Sequence, residues 1–317
     1  MTFPIAILSF DRPGYLAQVL SSLKPQLVPG QRVILFQDGA WNSWSERWKG
    51  DPAAVAACIA RFHATLPDQE VRAAPVNLGI ALNYERAESY VFEALGASEA
   101  LFLEDDLCLS PNYLAVIARL LAFARADSRI AYVSAYGDLF ADPAAQRADA
   151  DGLLPMHENW GAAMTRAAWL AERPFRRAYL SLVSDCDYSF RDHEAIRDFY
   201  RARGWDVRVT SQDAARWVAA VERRAVRMTT RACHARYIGE TGEHSTPEQY
   251  ARSGFARTVP WSDAPPVLGP PTEGHIASWL AAERARFLGR GEAYYPGHGG
   301  VAPDDPDAEV PRCDAMA

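Results

Sequence analysis

Residues 101–114 read LFLEDDLCLSPNYL, and the fold follows from how this stretch is read. Leu101, Phe102 and Leu103 make a short apolar run of the kind a buried strand needs, and they lead straight into Glu104, Asp105 and Asp106. Ser110, Pro111 and Asn112 then signal a turn and a helix start. A strand ending in clustered carboxylates carries negative charge to the rim of a sheet. Such charge repels itself, and it becomes favourable when a cation or a set of donors sits among the oxygens. Two readings stand: a divalent metal site at the C-terminal edge of a strand, where open α/β sheets bind ligands, and a solvated acidic turn.

The sequence before this stretch repeats its logic. Pro4 to Phe10, PIAILSF, has strand length and ends at Asp11-Arg12-Pro13, where proline suits the first turn of a helix. Tyr15, Leu16, Val19, Leu20 and Leu23 follow at helical spacing. Arg32 to Phe36, RVILF, is a second buried strand, stopping at Gln37-Asp38-Gly39. Asp38 is either a turn former before glycine or a ligand group facing the same cleft as Asp106. Trp41, Trp44 and Trp48 lie in a polar loop, as a sugar-stacking surface or as packing under the next helix. Val55, Ile59, Phe62 and Leu66 mark that helix, a short edge strand surrounds Val71, and a helical stretch runs from Ile80 to Leu95. This βα alternation predicts an α/β fold with a doubly wound, mostly parallel sheet and right-handed crossovers. No GxGxxG or GxxxxGK[ST] occurs, so a phosphate ligand would be held by metal and side chains.

After the stretch, Tyr113 to Ala124 reads as a helix and Ile130 to Ala135 as a strand. Asn159 to Met164 is a short segment whose small residues allow close approach of a backbone or ligand, followed by a helix through Trp169. A helix-rich part with Asp185, Asp187, Asp192 and Glu194 comes next, then Trp205 to Val209 as a strand, then Ser211 capping a helix through Val221. Asp213 sits in that helix's first turn, where a carboxylate gains roughly 0.3–1 kcal/mol from the helix dipole whatever else it does. Thr229 to Pro247 reads as a loop, and His244 within it is a metal ligand, a phosphate donor or plain surface. One more helix is expected over Ile276 to Leu288, and from Pro296 onward the composition reads as disordered.

Composition narrows the function. With 317 residues, 49% of them hydrophobic, the chain can bury a full core. A net charge of -7 argues against a general nucleic-acid or anionic-membrane surface. Five cysteines without CxxC spacing fit a reduced setting, and no apolar run approaches the ~18 residues of a membrane span, so a cytoplasmic protein is expected, with peripheral membrane contact open.

Five motifs together resemble the GT-A glycosyltransferases, in particular inverting enzymes of the N-acetylglucosaminyltransferase I type and bacterial family-2-like transferases. ILSFDRP looks like that family's first strand and turn, LFQDG like its second strand, and LEDDLCLSPNYL like its DXD metal motif and following helix. IAYVSAYGD is similar to the next strand, and Arg236 to Gly239 through His244 to Thr246 to a C-terminal loop that closes on the diphosphate. The resemblance implies a single catalytic domain over 1–260, with a nucleotide-sugar half (1–115) and an acceptor half (116–260). A helical extension (261–295) and a disordered tail (296–317) would follow.

It also implies roles. Asp106 and His244 would hold Mn²⁺ or Mg²⁺, Glu104 and Asp105 would face ribose and donor sugar, Asp38 the uracil, and Arg12 the nucleotide. Asn77 and Asn83 would be further donor-side groups. The donor would be a UDP-sugar, with UDP-GlcNAc favoured by resemblance alone, and the acceptor a glycan, glycolipid or protein. An inverting transfer needs a carboxylate base for the acceptor hydroxyl. The family places it at a helix start ahead of the Ile-Gly loop, in a setting written WDYxW. Asp213 in SQDAARW fits that position, although the preceding tryptophan is missing and Trp217 is displaced by one. Asp187 in SDCDYSF is the second candidate. Competing expectations are a catalytically inactive nucleotide- or glycan-binding module, and a sugar nucleotidyltransferase, whose glycine-rich phosphate loop ILSFDRPGYL lacks.

Overall fold

The computed structural model describes residues 2–242 and 245–289. Strand β1 (Ile5–Ser9) is buried at every position, as in a strand covered on both faces. Helix α1 (Pro13–Leu23) follows, with Pro13 where no helical hydrogen bond is lost, and it buries Leu16, Val19, Leu20 and Leu23. Strand β2 (Val33–Gln37) lies parallel to β1, Ile5 opposite Val33. A small hairpin, β3 (Trp41–Asn42) and β4 (Arg47–Trp48), precedes α2 (Pro52–Thr65), which Asp51 caps by accepting from the Ala53 N–H at 2.9 Å. Strand β5 (Glu70–Ala73) adds an edge to β2. Helix α3 (Gly79–Ser89) runs on into a π-helical turn over Tyr90–Ala94, and β6 (Glu99–Glu104) then lies parallel to β1 on its other side.

The second half is less regular. Strand β7 (Leu107–Leu109) leaves the main sheet and is followed by α4 (Tyr113–Ala126), β8 (Ile130–Val133), α5 (Pro143–Ala148) and β9 (Leu153–Pro155). Strand β10 (Ala162–Thr165) inserts antiparallel between β6 and β8. Helices α6 (Arg166–Leu180), α7 (His193–Arg201) and α8 (Gln212–Glu222) form a lobe with its own apolar cluster around Phe175, Tyr200 and Val218. Strand β11 (Val226–Thr230) returns parallel to β8, β12 (Ala235–Tyr237) pairs with β7, and α9 (Pro247–Ser253) and α10 (Glu273–Phe287) complete the order. The eight-stranded sheet runs β5-β2-β1-β6-β10-β8-β11-β9. It is the expected α/β arrangement, a mostly parallel sheet flanked by helices.

Two local expectations are corrected. Trp205 to Val209 is not a strand: Trp205 and Val207 are buried with a two-residue period, but against the helical lobe. Its backbone bonds to α7 and α10 instead of a sheet, with the Trp205 N–H donating to the Tyr200 carbonyl at 3.1 Å and the Asp206 N–H to the Phe287 carbonyl at 2.7 Å. Residues 229–247 are not all loop, since β12 lies within them. Ile276 of α10 joins the main core while Phe287 joins the second cluster. The expected tail, 296–317, lies outside the described residues. Among the described residues, no helix is long and apolar enough to cross a membrane.

Candidate functional site

Strand β6 is buried from Glu99 to Leu103 and emerges at Glu104. The turn at Asp105-Asp106 is then clamped by the pairing of β7 with β12, Leu107 opposite Tyr237, and by the Ile238 N–H donating to the Asp106 carbonyl at 2.8 Å. Residues 237–239 are thereby held against the acids. The approach is close: a Cβ on Gly239 would stand 2.2 Å from Tyr237 Oη and 2.7 Å from Asp106 Oδ2, so one of these side chains would have to shift.

Donors from the first βα turn meet part of this charge. Arg12 bridges the pair, Nη2 to Asp105 Oδ1 at 2.5 Å and Nη1 to Asp106 Oδ2 at 2.8 Å. The Phe10 N–H donates to Asp105 Oδ2 at 3.1 Å. Arg12 Nη1 also reaches the Thr241 carbonyl at 3.5 Å, and the Thr241 N–H donates to Tyr15 Oη at 3.1 Å, so the loop after β12 is fastened to α1. Asp106 Oδ1, by contrast, is buried without a donor among the described residues. Burial pushes this carboxyl up to about 6, against the pull of Arg12. Burial also lifts Glu104 well above the ordinary range, with repulsion from Asp106 and Asp213 adding to it.

The orphaned Asp106 oxygen fits a hard divalent cation, which takes oxygen ligands and is commonly held by one or two carboxylates together with substrate phosphates and water. No group of three or more His, Cys, Asp or Glu able to hold a metal occurs among the described residues, so the fit is to this single-carboxylate pattern. His244 lies outside the described residues.

At the start of α8, Asp213 follows the Ser211 cap, and its Oδ1 accepts from Asn159 Nδ2 at 2.7 Å and Gln212 Nε2 at 2.5 Å. Its charge is felt at Glu104, at Tyr84 and at Glu158. Glu158 was not singled out from the sequence. Burial and repulsion from Asp213 push it up to about 7, with Arg286 and Arg227 opposing. Nothing in the run His157-Glu158-Asn159 marks it, because its setting comes from Asp213 of α8, Arg227 of β11 and Arg286 of α10, all remote in sequence. Beside it Trp160 stacks on Tyr237, ring centres 4.2 Å apart and planes within 7°, and Phe255 packs edge-on to both.

Other candidates are occupied by the chain itself. Asp187 caps a short 3-10 turn, its Oδ1 accepting from the Ser189 N–H at 3.0 Å and facing Lys49 Nζ at 3.3 Å, its Oδ2 accepting from Ser45 Oγ at 2.7 Å. Burial opposes its charge, but these donors outweigh burial and hold the carboxyl below its ordinary value. Asp38 accepts four hydrogen bonds, from the Gly39 and Leu78 N–H at Oδ1 and from the Gly79 N–H and Asn77 Nδ2 at Oδ2. Four bonds fill a carboxylate's lone pairs, so Asp38 organises the turn into α3. Burial nonetheless lifts it to about 6. Asn83 donates to the Phe36 carbonyl at 3.2 Å and accepts from Arg86 at 2.8 Å, which ties α3 to the end of β2.

No protein-family model matches the sequence, and no curated protein matches it. Solved structures with a similar arrangement include S. aureus TarS 1-349 in complex with UDP, at a TM-score of 0.43 and 12% identity over 92% of this chain and 71% of that one. Glucosyl-3-phosphoglycerate synthase from Mycobacterium tuberculosis, in complex with Mn²⁺, UDP and glucosyl-3-phosphoglycerate, gives 0.34 and 15% over 54% of this chain and 58% of that one. An active-site mutant of LgtC gives 0.31 and 14% over 56% and 64%. At such values these are likenesses of arrangement, and no residue role follows from them.

Proposed function

We propose that the chain is a metal-dependent inverting glycosyltransferase that moves a sugar from a UDP-sugar, with UDP-GlcNAc the first donor to try, to a hydroxyl of a glycan, glycolipid or protein. The observation that carries the reading is a pair of unlike carboxylates whose charges both act on Glu104: Asp106, with a buried oxygen lacking a donor among the described residues, and Asp213, which two amides hold. In this reading Arg12 and the loop around Gly239 border the diphosphate, and Glu104 borders the donor sugar. Asp38 and Asn83 shape the nucleotide side through the backbone they hold. Asp106, with His244 as a second candidate, would hold a divalent cation, and such an ion neutralises charge growing on a leaving diphosphate.

Asp213 then takes the proton of the acceptor hydroxyl as the acceptor oxygen bonds to the anomeric carbon and the bond to UDP breaks, inverting that carbon. The stacked Trp160 and Tyr237, with Phe255, limit water around Asp106 and Glu104 in this reading. Asp187 is the weaker base candidate because Lys49, Ser45 and Ser189 already engage it.

The test is a panel of UDP-, GDP- and TDP-sugars assayed for slow hydrolysis with and without Mn²⁺. Hydrolysis of a UDP-sugar that needs the metal is the expected result, and no metal-dependent hydrolysis of any donor would remove the reading. One observation favours the inactive binding module: Arg12 already neutralises part of the Asp105-Asp106 charge. Binding of UDP without donor hydrolysis would select that module.

A further inference from the structure

A buried charge cluster lies behind Asp213. Glu88 of α3, fully buried, pairs with Arg176 of α6 and with Arg216 of α8, the latter at 2.5 Å. Arg216 spreads its guanidinium over the Tyr84 ring, 4.3 Å from the ring centre, and donates through Nε to Gln212 Oε1 at 2.7 Å. Gln212 in turn donates through Nε2 to Asp213 Oδ1. The chain of contacts therefore runs Glu88, Arg216, Gln212, Asp213, linking helix α3 to the cleft through one turn of α8.

The donor inventory gives this chain a direction. An arginine side chain only donates, whereas an amide can present either end. Arg216 therefore commits Gln212 to facing it with oxygen, which leaves Nε2 as the end that meets Asp213. Asn159 supplies the second amide to the same carboxylate oxygen. Buried ion clusters contribute little net stability over apolar packing of the same volume, while fixing one geometry is a service a carboxylate base requires. A structural tie between α3 and α8 would need the ion pair but not the Gln212 amide.

We propose that Gln212 is a positioning residue, oriented by the Glu88-Arg216 pair, that sets the Asp213 carboxylate toward the acceptor hydroxyl. This rests on the reading of Asp213 as the base. The first variant is Gln212→Glu, which keeps an acceptor for Arg216 but, ionised, faces Asp213 with a repelling oxygen in place of the N–H, so the neutral Gln212→Met is run beside it. It is expected to keep the thermal midpoint and the KM for the UDP-sugar while kcat falls on the order of 10-fold to 10²-fold, the cost of misplacing a reacting group by about 1 Å. Should the new carboxylate disturb folding, Gln212→Met carries the same test. Arg216→Met leaves Glu88 paired with Arg176, and combined with Gln212→Met it is expected to lower kcat no further than Gln212→Met alone, because both act through one amide.

Wild-type kcat in folded Gln212→Glu, or fully additive losses in the double variant, would overturn the proposal. Asp213→Asn run in parallel separates the two levels. If it retains turnover, the base assignment fails; if it loses turnover while Gln212→Glu does not, only the positioning role fails.

Discussion

The corner around Asp187 and the rim around Asp106 and Asp213 are both acidic, both partly buried and both contacted by the helical lobe. At the corner, a lysine, a hydroxyl and a backbone N–H surround one carboxylate and hold it ionised. At the rim, burial lifts Glu104, Asp106 and Glu158, with repulsion adding from Asp106 and Asp213 at Glu104, from Asp105 at Asp106 and from Asp213 at Glu158, while Arg12 forms ion pairs with the β6 turn. Partnered carboxylates of the first kind fasten the hairpin to the lobe. Carboxylates of the second kind, raised by burial and by like charges, are costly to fold, and such groups suit cation binding and proton transfer.

The largest expected effect tests the rim. Asp213→Asn should lower sugar transfer by ~10²-fold or more while UDP affinity is kept, measured by turnover and calorimetry. Retained turnover would put the base elsewhere.

Glu158 gives the next effect. Its carboxyl, ordinarily near 4.5, is held near 7, so it binds its proton more tightly in the fold than in the unfolded chain. That contribution is whole below about pH 4.5 and is lost as pH rises through about 7. Glu158→Gln should therefore flatten the decline in stability between those values and raise it by about 1–3 kcal/mol at pH 8, read from denaturant unfolding. An unchanged slope would mean the site is better solvated than its setting indicates.

Gly239→Ala tests the closeness of the loop to Asp106. The added carbon would displace Tyr237 or Asp106, and metal-dependent UDP affinity should fall by about 10-fold, with smaller change in the metal-free value. The smallest catalytic effect is expected at the corner: Asp187→Asn should lower stability by about 1–3 kcal/mol through loss of its charged partners, with turnover of the folded enzyme nearly intact. A loss matching that of Asp213→Asn would erase the distinction between the two regions.

Much of the first half was legible because its code is local. IAIL, VILF and LFL are continuous apolar runs, which a strand covered on both faces requires, and the helices between them repeat at helical spacing. The acid-tipped end of β6 was legible for the same reason. What escaped depends on partners distant in sequence. Ala162–Thr165 gives no sign that it will run antiparallel between β6 and β8, and Trp205 to Val209 has the period of a strand while packing on helices. Asp38 could be placed at a strand end, but its capture of four donors, three of them from residues 77–79, could not be read from neighbours. Arg12 was expected near a nucleotide, whereas its salt bridges to Asp105 and Asp106 appear only once β1 lies beside β6.

Everything proposed for the rim acids depends on their taking up a cation together with a nucleotide. Calorimetric titration of UDP into the protein with and without Mn²⁺, repeated for Asp106→Asn, addresses this. Mn²⁺ is expected to tighten UDP binding by about 10-fold or more in the native chain, a single metal-mediated contact being worth at least a charged hydrogen bond, and Asp106→Asn to remove the gain. UDP binding that is equally tight without the metal, or an Mn²⁺ effect that survives Asp106→Asn, would contradict it.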